Sequence, residues 1–167
     1  FVVPEQKFYS RQVKALAISP DSNYLFVGGD TCISRGTRLG RQFVSRFGIQ
    51  GDAVTAITTI GGRLLMGVYS KYPVLPSPPF LVLSDDNGET FSVPTISPTP
   101  GFVHEFASVQ NRIYCGAENG LYVSADSGST WSHILVDSTN SAPANRRNVI
   151  NGLSPLGDTL WVGTDSG

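Results

Sequence analysis

The chain has 167 residues, which is enough for one domain with a substantial core, and a formal net charge of -1 at pH 7. This balance disfavours nucleic acid as a partner, because proteins that bind it usually carry a basic excess. Hydrophobic residues make up 40% of the sequence and charged residues 15%, which excludes disorder by composition, and no apolar run is long enough to span a bilayer. The 18 glycines and 11 prolines favour a β-rich domain with many turns.

The chain shows almost no helical periodicity. It consists of short runs that are apolar or that alternate between apolar and polar residues, and each run ends in turn residues. Four stretches share one pattern of strand, polar turn, strand and glycine. They begin at Val13, Val54, Val103 and Val149. Their closing glycines are Gly28, Gly67, Gly116 and Gly163. A repeat of roughly 40–50 residues that consists only of strands is typical of a β-propeller with one four-stranded blade per repeat.

We therefore predict an all-β propeller of four-stranded antiparallel blades, with about three and a half blades present. Residues 1–10 are predicted to form an outer strand or a linker. The blades are predicted to span 11–48, 49–94, 95–136 and 137–167, the last one incomplete. The outer strands of the second blade are expected at 80–84 and 90–93. Because closed propellers have about 4–8 blades, we expect the rest of the propeller, in a longer chain, as a partner.

Two turns between predicted outer strands share the pattern Ser-x-Asp-x-Gly-x-Thr-aromatic. Their residues are Ser84, Asp86, Gly88, Thr90 and Phe91 in one and Ser124, Asp126, Gly128, Thr130 and Trp131 in the other. A short Asp side chain can accept hydrogen bonds from the turn backbone, glycine allows a positive φ, and the aromatic ring can pack between sheets. Acidic ligands are too few for a calcium loop. We predict a structural role and expect no metal and no cofactor.

This motif resembles the Asp-box, or bacterial neuraminidase repeat, of sialidases, xyloglucanases, sortilin-type receptors, photosystem-assembly propellers and secreted bacterial repeat proteins. The resemblance implies a propeller whose motif residues are structural and lie away from the ligand-binding face. It does not imply one activity, because the motif spans many functions. Similarity to the secreted repeat proteins implies an extracytoplasmic location, whether secreted, periplasmic or at the cell surface.

Candidate ligand-binding residues lie in loops predicted to open on the face opposite these turns. The long segment 69–79 contains four prolines that restrict its backbone, and it offers Tyr69, Lys71 and Tyr72 as contact groups. It either recognises a glycan or a protein, or it only covers the blade. Arg146 and Arg147 either bind an anion or serve solvation and local pairing.

Three carboxylates are the candidates for catalysis, namely Asp165, Asp52 and Glu105. The run 163–167 is similar to the setting of the acid in xyloglucanases, and glycoside hydrolysis needs two acidic residues across a cleft. Asp52 and Glu105 are predicted to face the same cleft, either as catalytic groups or as hydrogen-bonded channel residues. The Phe-Arg-Ile-Pro motif of sialidases is absent from the sequence.

The sequence favours a non-catalytic propeller module that binds or scaffolds a protein or a glycan. One alternative is a fragment of an Asp-box glycoside hydrolase, xyloglucanase-like more than sialidase-like. Another is an assembly-factor or receptor propeller with one protein partner. The isolated His104 and His133 are interpreted as structural histidines. Cys115 is interpreted as a small buried hydrophobe, and a Cys32–Cys115 disulfide stays open.

Overall fold

The computed structural model describes residues 12–19, 21–30, 32–37, 43–47, 52–70, 80–139 and 146–166. Within these ranges the regular structure is β-strand apart from one turn of 3-10 helix at Arg146–Asn148, which confirms the all-β prediction. None of the helical structure in these ranges is long and apolar enough to cross a membrane. The predicted outer strand or linker at 1–10, together with Lys71 and Tyr72, lies outside the described residues.

Each repeat forms its own antiparallel sheet, with the strands hydrogen-bonded in chain order. Sheet one contains β1 (Val13–Ile18), β2 (Tyr24–Gly29), β3 (Ile33–Thr37) and β4 (Val44–Phe47). Sheet two contains β5 (Asp52–Ile60), β6 (Arg63–Ser70) and β7 (Leu81–Ser84). Sheet three contains β8 (Val103–Val109), β9 (Arg112–Ala117), β10 (Gly120–Ser124) and β11 (Ser132–Ile134). Sheet four contains β12 (Ile150–Leu156) and β13 (Thr159–Thr164).

The fourth strand predicted for sheet two at 90–93 does not form. One bridge, between Leu83 and Ser92, is all that extends the sheet beyond β7 at this point. The next residues explain this difference, because Pro94 has no N–H group to donate to a ladder and Val93 is exposed. The equivalent segment of sheet three has no proline, and it forms the short strand β11.

A register irregularity near the start of the first strand recurs in all four sheets. The residues that precede it are Val13, Val54, Val103 and Ile150. The fourth repeat was predicted to begin at Val149, and the structure places Ile150 at the position equivalent to the other three valines. Ile150 lies as many residues before Gly163 as Val54 and Val103 lie before Gly67 and Gly116, so the fourth repeat begins one residue later than predicted.

The sheets pack face to face in chain order, and the closing glycines allow this close approach. A Cβ atom added at the closing glycine of sheets one to three would lie within 2.8 Å of a β-branched side chain from the next sheet. These glycine and side-chain pairs are Gly28 with Val54, Gly67 with Val103, and Gly116 with Ile150. The three β-branched side chains are buried, and each belongs to a hydrophobic cluster between its own sheet and the preceding one.

The residue two positions before each closing glycine packs into the same clusters. Phe26 and Leu65 are fully buried, and each contacts a turn glycine of the following sheet, Gly88 and Gly128 respectively. Tyr114, at the equivalent position of sheet three, packs against the cluster that contains Ile150. The repeat of the sequence is therefore also a repeat of one sheet-to-sheet contact.

Candidate functional site

The two Ser-Asp-Gly-Thr turns have the same hydrogen-bond geometry. The Asp86 carboxylate accepts from the Thr90 backbone N–H at 2.8 Å and from the Thr90 hydroxyl at 2.6 Å. Asp126 accepts from Thr130 at 2.9 Å and 2.6 Å in the same way. In both turns the serine hydroxyl donates to this carboxylate at 2.8 Å. Each short carboxylate therefore satisfies donors that have left the strand ladder.

Glycine and aromatic residues complete the turns. Gly88 and Gly128 adopt positive φ angles of 78° and 89°, where glycine is favoured, and their N–H groups donate to the serine hydroxyls. The Trp131 indole N–H donates to the Gly128 carbonyl at 2.9 Å, and the ring is buried between sheets. The Phe91 ring is half-buried against the cluster between sheets one and two. These contacts fix the turns and pack their aromatic rings between the sheets.

An arginine from the preceding sheet binds each turn, a feature that the sequence analysis missed. Arg35 of sheet one donates to the Asn87 carbonyl at 2.7 Å and pairs with Glu89. Arg63 of sheet two donates to the equivalent Ser127 carbonyl at 3.1 Å and pairs with Asp85 at 2.5 Å. The two arginines come from different strands, β3 and β6, so no common sequence spacing could have revealed them.

Because of the hydrogen bonds to Asp86 and Asp126, we expect the folded chain to lose stability in acid. Hydrogen bonds from Thr90 and Thr130, foremost those of their hydroxyls, lower the pKa of Asp86 and of Asp126 from 3.8 to about 2. A carboxylate whose pKa is depressed by folding contributes stability above its unfolded pKa, and that contribution disappears as the pH falls through the folded value. The free energy of unfolding of the native chain should therefore fall steeply between pH 4 and pH 2.

The measurement is a series of urea unfolding curves across this pH range. An Asp86→Asn/Asp126→Asn double variant should be less stable at neutral pH and show a shallower loss in acid. Asp158→Asn, in the exposed β12–β13 turn, is the matched control and should follow the native chain. Parallel pH curves for the native chain and the double variant would show that these carboxylates do not hold the turns.

An open groove of about 720 Å³ lies at the opposite end of the strands, where sheets two, three and four meet. The two Ser-Asp-Gly-Thr turns follow the last residues of β7 and β10, whereas the groove residues lie at the end of β6, between β9 and β10, and around β12 and β13. The groove is lined by Tyr69, Phe102, His104, Glu118, Arg146, Val149, Asn151 and Asp165. It is the candidate functional site.

A row of rings forms one wall of the groove. Tyr69 and Phe102 have ring centroids 5.6 Å apart, and Phe102 and His104 have theirs 4.9 Å apart, both pairs tilted. Tyr69 comes from the end of β6, whereas Phe102 and His104 flank the start of β8. Such a row offers apolar ring faces beside polar edges, which suits the stacking of a flat or ring-shaped ligand.

Charged and amide groups form the other wall. The Asp165 carboxylate accepts from the Asn151 side-chain amide at 3.2 Å and lies 3.6 Å from the Arg146 guanidinium. Arg146 is 78% exposed, so this pair leaves most of its donors facing solvent. Glu118 accepts from the Phe102 backbone N–H at 3.3 Å. The groove thus presents both hydrogen-bond donors and acceptors next to the row of rings.

His104, the last ring of the row, is neutral at neutral pH. Burial lowers the pKa of its imidazole below 6.5 more than the carboxylates Glu118 and Asp165 raise it. A neutral imidazole carries one donor and one acceptor nitrogen, so it can hydrogen-bond to a hydroxyl or an amide. The sequence analysis interpreted His104 as structural because it has no partner within a metal-binding or catalytic spacing.

The groove brings together some of the residues predicted from the sequence and leaves others apart. Tyr69, Arg146 and Asp165 line it, although they come from distant parts of the chain. Arg147 faces away and lies 3.5 Å from the Asp137 carboxylate in a neighbouring hollow. Glu105 is not among the lining residues of this groove, and its carboxylate accepts from the Leu153 N–H at 2.8 Å, which joins sheets three and four. Asp52 begins β5 and pairs with Ser70.

The remaining predicted features concern the interior. Cys32 and Cys115 are buried and form no disulfide, and burial raises the pKa of the Cys115 thiol. His133 lies 2.8 Å from the Asn119 carbonyl and stacks on the Tyr122 ring at 4.7 Å. Among the residues that the structure describes, no group of three or more His, Cys, Asp or Glu side chains could hold a metal ion.

Comparison with solved structures identifies the fold. An ancestral GH74 enzyme superimposes with a TM-score of 0.64 and 19% identity, over 80% of this chain and 20% of the enzyme. The computationally designed Ika4 protein superimposes with a TM-score of 0.64 and 17% identity, over 97% of this chain and 90% of the Ika4 chain. YCF48, solved bound to D1 peptide, superimposes with a TM-score of 0.57 and 15% identity, over 75% of this chain and 40% of the YCF48 chain. The chain is a β-propeller of antiparallel blades, as predicted.

The chain spans only a fifth of the GH74 enzyme and two fifths of YCF48. At these levels of identity the likeness concerns the fold and not the activity. No family model matches the sequence, and no curated protein matches it.

Proposed function

We propose that this chain is an Asp-box propeller module that binds a protein segment or a glycan and performs no catalysis of its own. The observation that carries the proposal is the groove, where a row of rings lies beside hydrogen-bonding groups. We propose that the blades span 11–48, 49–94, 95–136 and 137–167, the last one incomplete. The Asp-box turns stabilise the fold at one end of the strands, and binding takes place at the other.

The polar groups of the groove are held in place by contacts within the chain, and they are also exposed enough to contact a ligand. Asn151 and Arg146 both contact Asp165, which fixes the carboxylate, while the exposed guanidinium retains donors for a ligand. Tyr69, which is 40% exposed, extends the row of rings toward solvent. Ring faces beside a few fixed polar groups are the usual composition of a binding site for a sugar or a peptide.

Two alternatives have their own support. A fragment of a glycoside hydrolase is supported by the two carboxylates Asp165 and Glu118 in one groove, since that chemistry needs an acidic pair. Both carboxylates, however, accept hydrogen bonds from within the chain.

An assembly factor or receptor with one protein partner is supported by the likeness to YCF48, which was solved with a bound peptide. We also propose an extracytoplasmic location, on the resemblance of the repeats to secreted proteins.

Arrays of glycans and of peptides, probed with the labelled 167-residue chain, test this function. We expect binding to members of one array, weakened at least about tenfold by an Arg146→Ala/Tyr69→Ala double variant. Arg147→Ala is the matched control, because this neighbouring arginine faces Asp137 outside the groove, and it should bind as the native chain does.

The same protein should release no reducing sugar from the polysaccharides represented on the array. Sugar release that is abolished by Asp165→Asn would favour the hydrolase instead. Binding that survives the double variant at full strength would contradict the assignment of the groove.

A further inference from the structure

The residues that line the groove follow the repeat of the chain. Each of them except Arg146 occupies one of three positions that recur from sheet to sheet. The first position precedes the β-branched residue that packs on the preceding sheet, the second is the residue that the register skips at the bulge, and the third lies two residues after the closing glycine. Sheet three fills these positions with Phe102, His104 and Glu118, and sheet four fills them with Val149, Asn151 and Asp165.

The two sets of three residues have the same arrangement. In sheet three, His104 and Glu118 each follow a residue of the first pair between β8 and β9. In sheet four, Asn151 and Asp165 each follow a residue of the first pair between β12 and β13, and the Asn151 amide donates to the Asp165 carboxylate at 3.2 Å. Each set places an apolar side chain beside a group that can donate hydrogen bonds and a carboxylate that accepts them. We call the two sets the sheet-three subsite and the sheet-four subsite.

In its described part, sheet two contributes a ring to the groove and not a third set. Ala53 and the hydroxyl oxygen of Thr55 occupy the first two positions, and both are buried. At the third position, Tyr69 reaches the groove, and its ring lies next to the Phe102 ring. Tyr69 therefore enlarges the sheet-three subsite.

We propose that a linear, uncharged oligosaccharide binds across the sheet-three and sheet-four subsites, with consecutive parts of the sugar chain in the two. This inference rests on the proposed function of the groove and selects a glycan as its ligand. Two subsites of the same composition suit a ligand that repeats one unit. A sugar unit has an apolar ring face and hydroxyl groups that both donate and accept hydrogen bonds. These match the apolar side chain, the donor and the carboxylate of each subsite.

The composition of the groove favours a sugar chain over a peptide. Planar polar groups end five of its side chains, namely those of His104, Glu118, Arg146, Asn151 and Asp165. Such groups offer two or more hydrogen-bonding atoms in one plane, which suits the neighbouring hydroxyls of a sugar ring. Val149 is the one aliphatic side chain among the described lining residues, so little apolar surface is available for peptide side chains. Two carboxylates against one guanidinium disfavour an anionic sugar.

Titrations of the 167-residue chain with linear oligosaccharides of glucose, mannose and xylose, followed by NMR of the protein, test this inference. For one of these sugars we expect the tetrasaccharide to bind at least about tenfold more tightly than the monosaccharide, because it occupies both subsites at once. An Asn151→Ala/Asp165→Ala variant should lose most of this gain. Its affinity for the monosaccharide should stay within about twofold of the native value, because the sheet-three subsite is intact. Damage to the fold would instead lower both affinities.

Thr55→Val is the matched control, because it changes the bulge position of sheet two, where the hydroxyl is buried and does not line the groove. It should bind both sugars as the native chain does. Equal affinity of the native chain for the monosaccharide and the tetrasaccharide overturns the inference. Undiminished binding of the tetrasaccharide by the Asn151→Ala/Asp165→Ala variant overturns it as well. A chain that binds peptides in the groove and none of these sugars overturns the inference but leaves the proposed function standing, whereas a chain that binds neither class overturns both.

Discussion

Replacing Trp131 by alanine is expected to lower the free energy of unfolding by about 3–5 kcal/mol, one of the two largest effects of a single substitution in this chain. The ring is 8% exposed, packs in the cluster between sheets two and three, and donates its N–H to the Gly128 carbonyl. Its removal leaves a cavity and an unpaired carbonyl in the same turn. Urea unfolding curves followed by circular dichroism measure the change.

Trp161→Ala is the matched control, because it removes the same side chain from an exposed position of sheet four. The control should change the free energy of unfolding by less than about 0.5 kcal/mol. A loss below about 1 kcal/mol for Trp131→Ala would contradict its assigned position between the sheets.

Replacing Gly67 by alanine is the second substitution with a large effect, and it is expected to lower the free energy of unfolding by about 1–3 kcal/mol. The added methyl group would lie 2.6 Å from the Val103 Cβ atom and from the Thr55 hydroxyl oxygen, and both are too rigidly placed to move aside. Relief requires that sheets two and three move apart at their closest contact. Urea unfolding curves of the variant and of the native chain give the loss.

Gly163→Ala is the control for this substitution. It occupies the same position of the repeat, but no following sheet lies above it within the described residues. Its free energy of unfolding should match that of the native chain to within about 0.5 kcal/mol. Equal losses at Gly67 and Gly163 would show that the glycines are needed for their own strands and not for the approach of the next sheet.

The strands and turns could be predicted from the sequence because their signals are local. Alternating apolar runs gave the strands, and the pattern from Ser84 to Phe91 gave a turn in which the hydrogen bonds of the Asp86 carboxylate and the Ser84 hydroxyl lie within seven residues. Two errors also concern local features. Pro94 ended the predicted strand at 90–93, and the separation from Gly163 places the repeated position at Ile150 and not at Val149.

The groove could be predicted only in part because its residues come from three sheets. Tyr69 and Arg146 were identified as surface groups, but nothing in the sequence places them beside His104 or Glu118. The neutral state of His104 depends on burial, which no spacing reveals. Arg35 and Arg63 were missed for the same reason, since each binds a turn that lies more than 50 residues away.

The central claim is that stability and binding reside at opposite ends of the strands. The most direct test measures two variants, Asp126→Asn and Arg146→Ala/Tyr69→Ala, against the best ligand from the arrays. At a temperature where both are folded, Asp126→Asn should unfold more easily and bind as the native chain does, whereas the groove variant should keep its stability and bind at least about tenfold more weakly. Loss of binding in a fully folded Asp126→Asn chain, with binding intact in the groove variant, would contradict the claim.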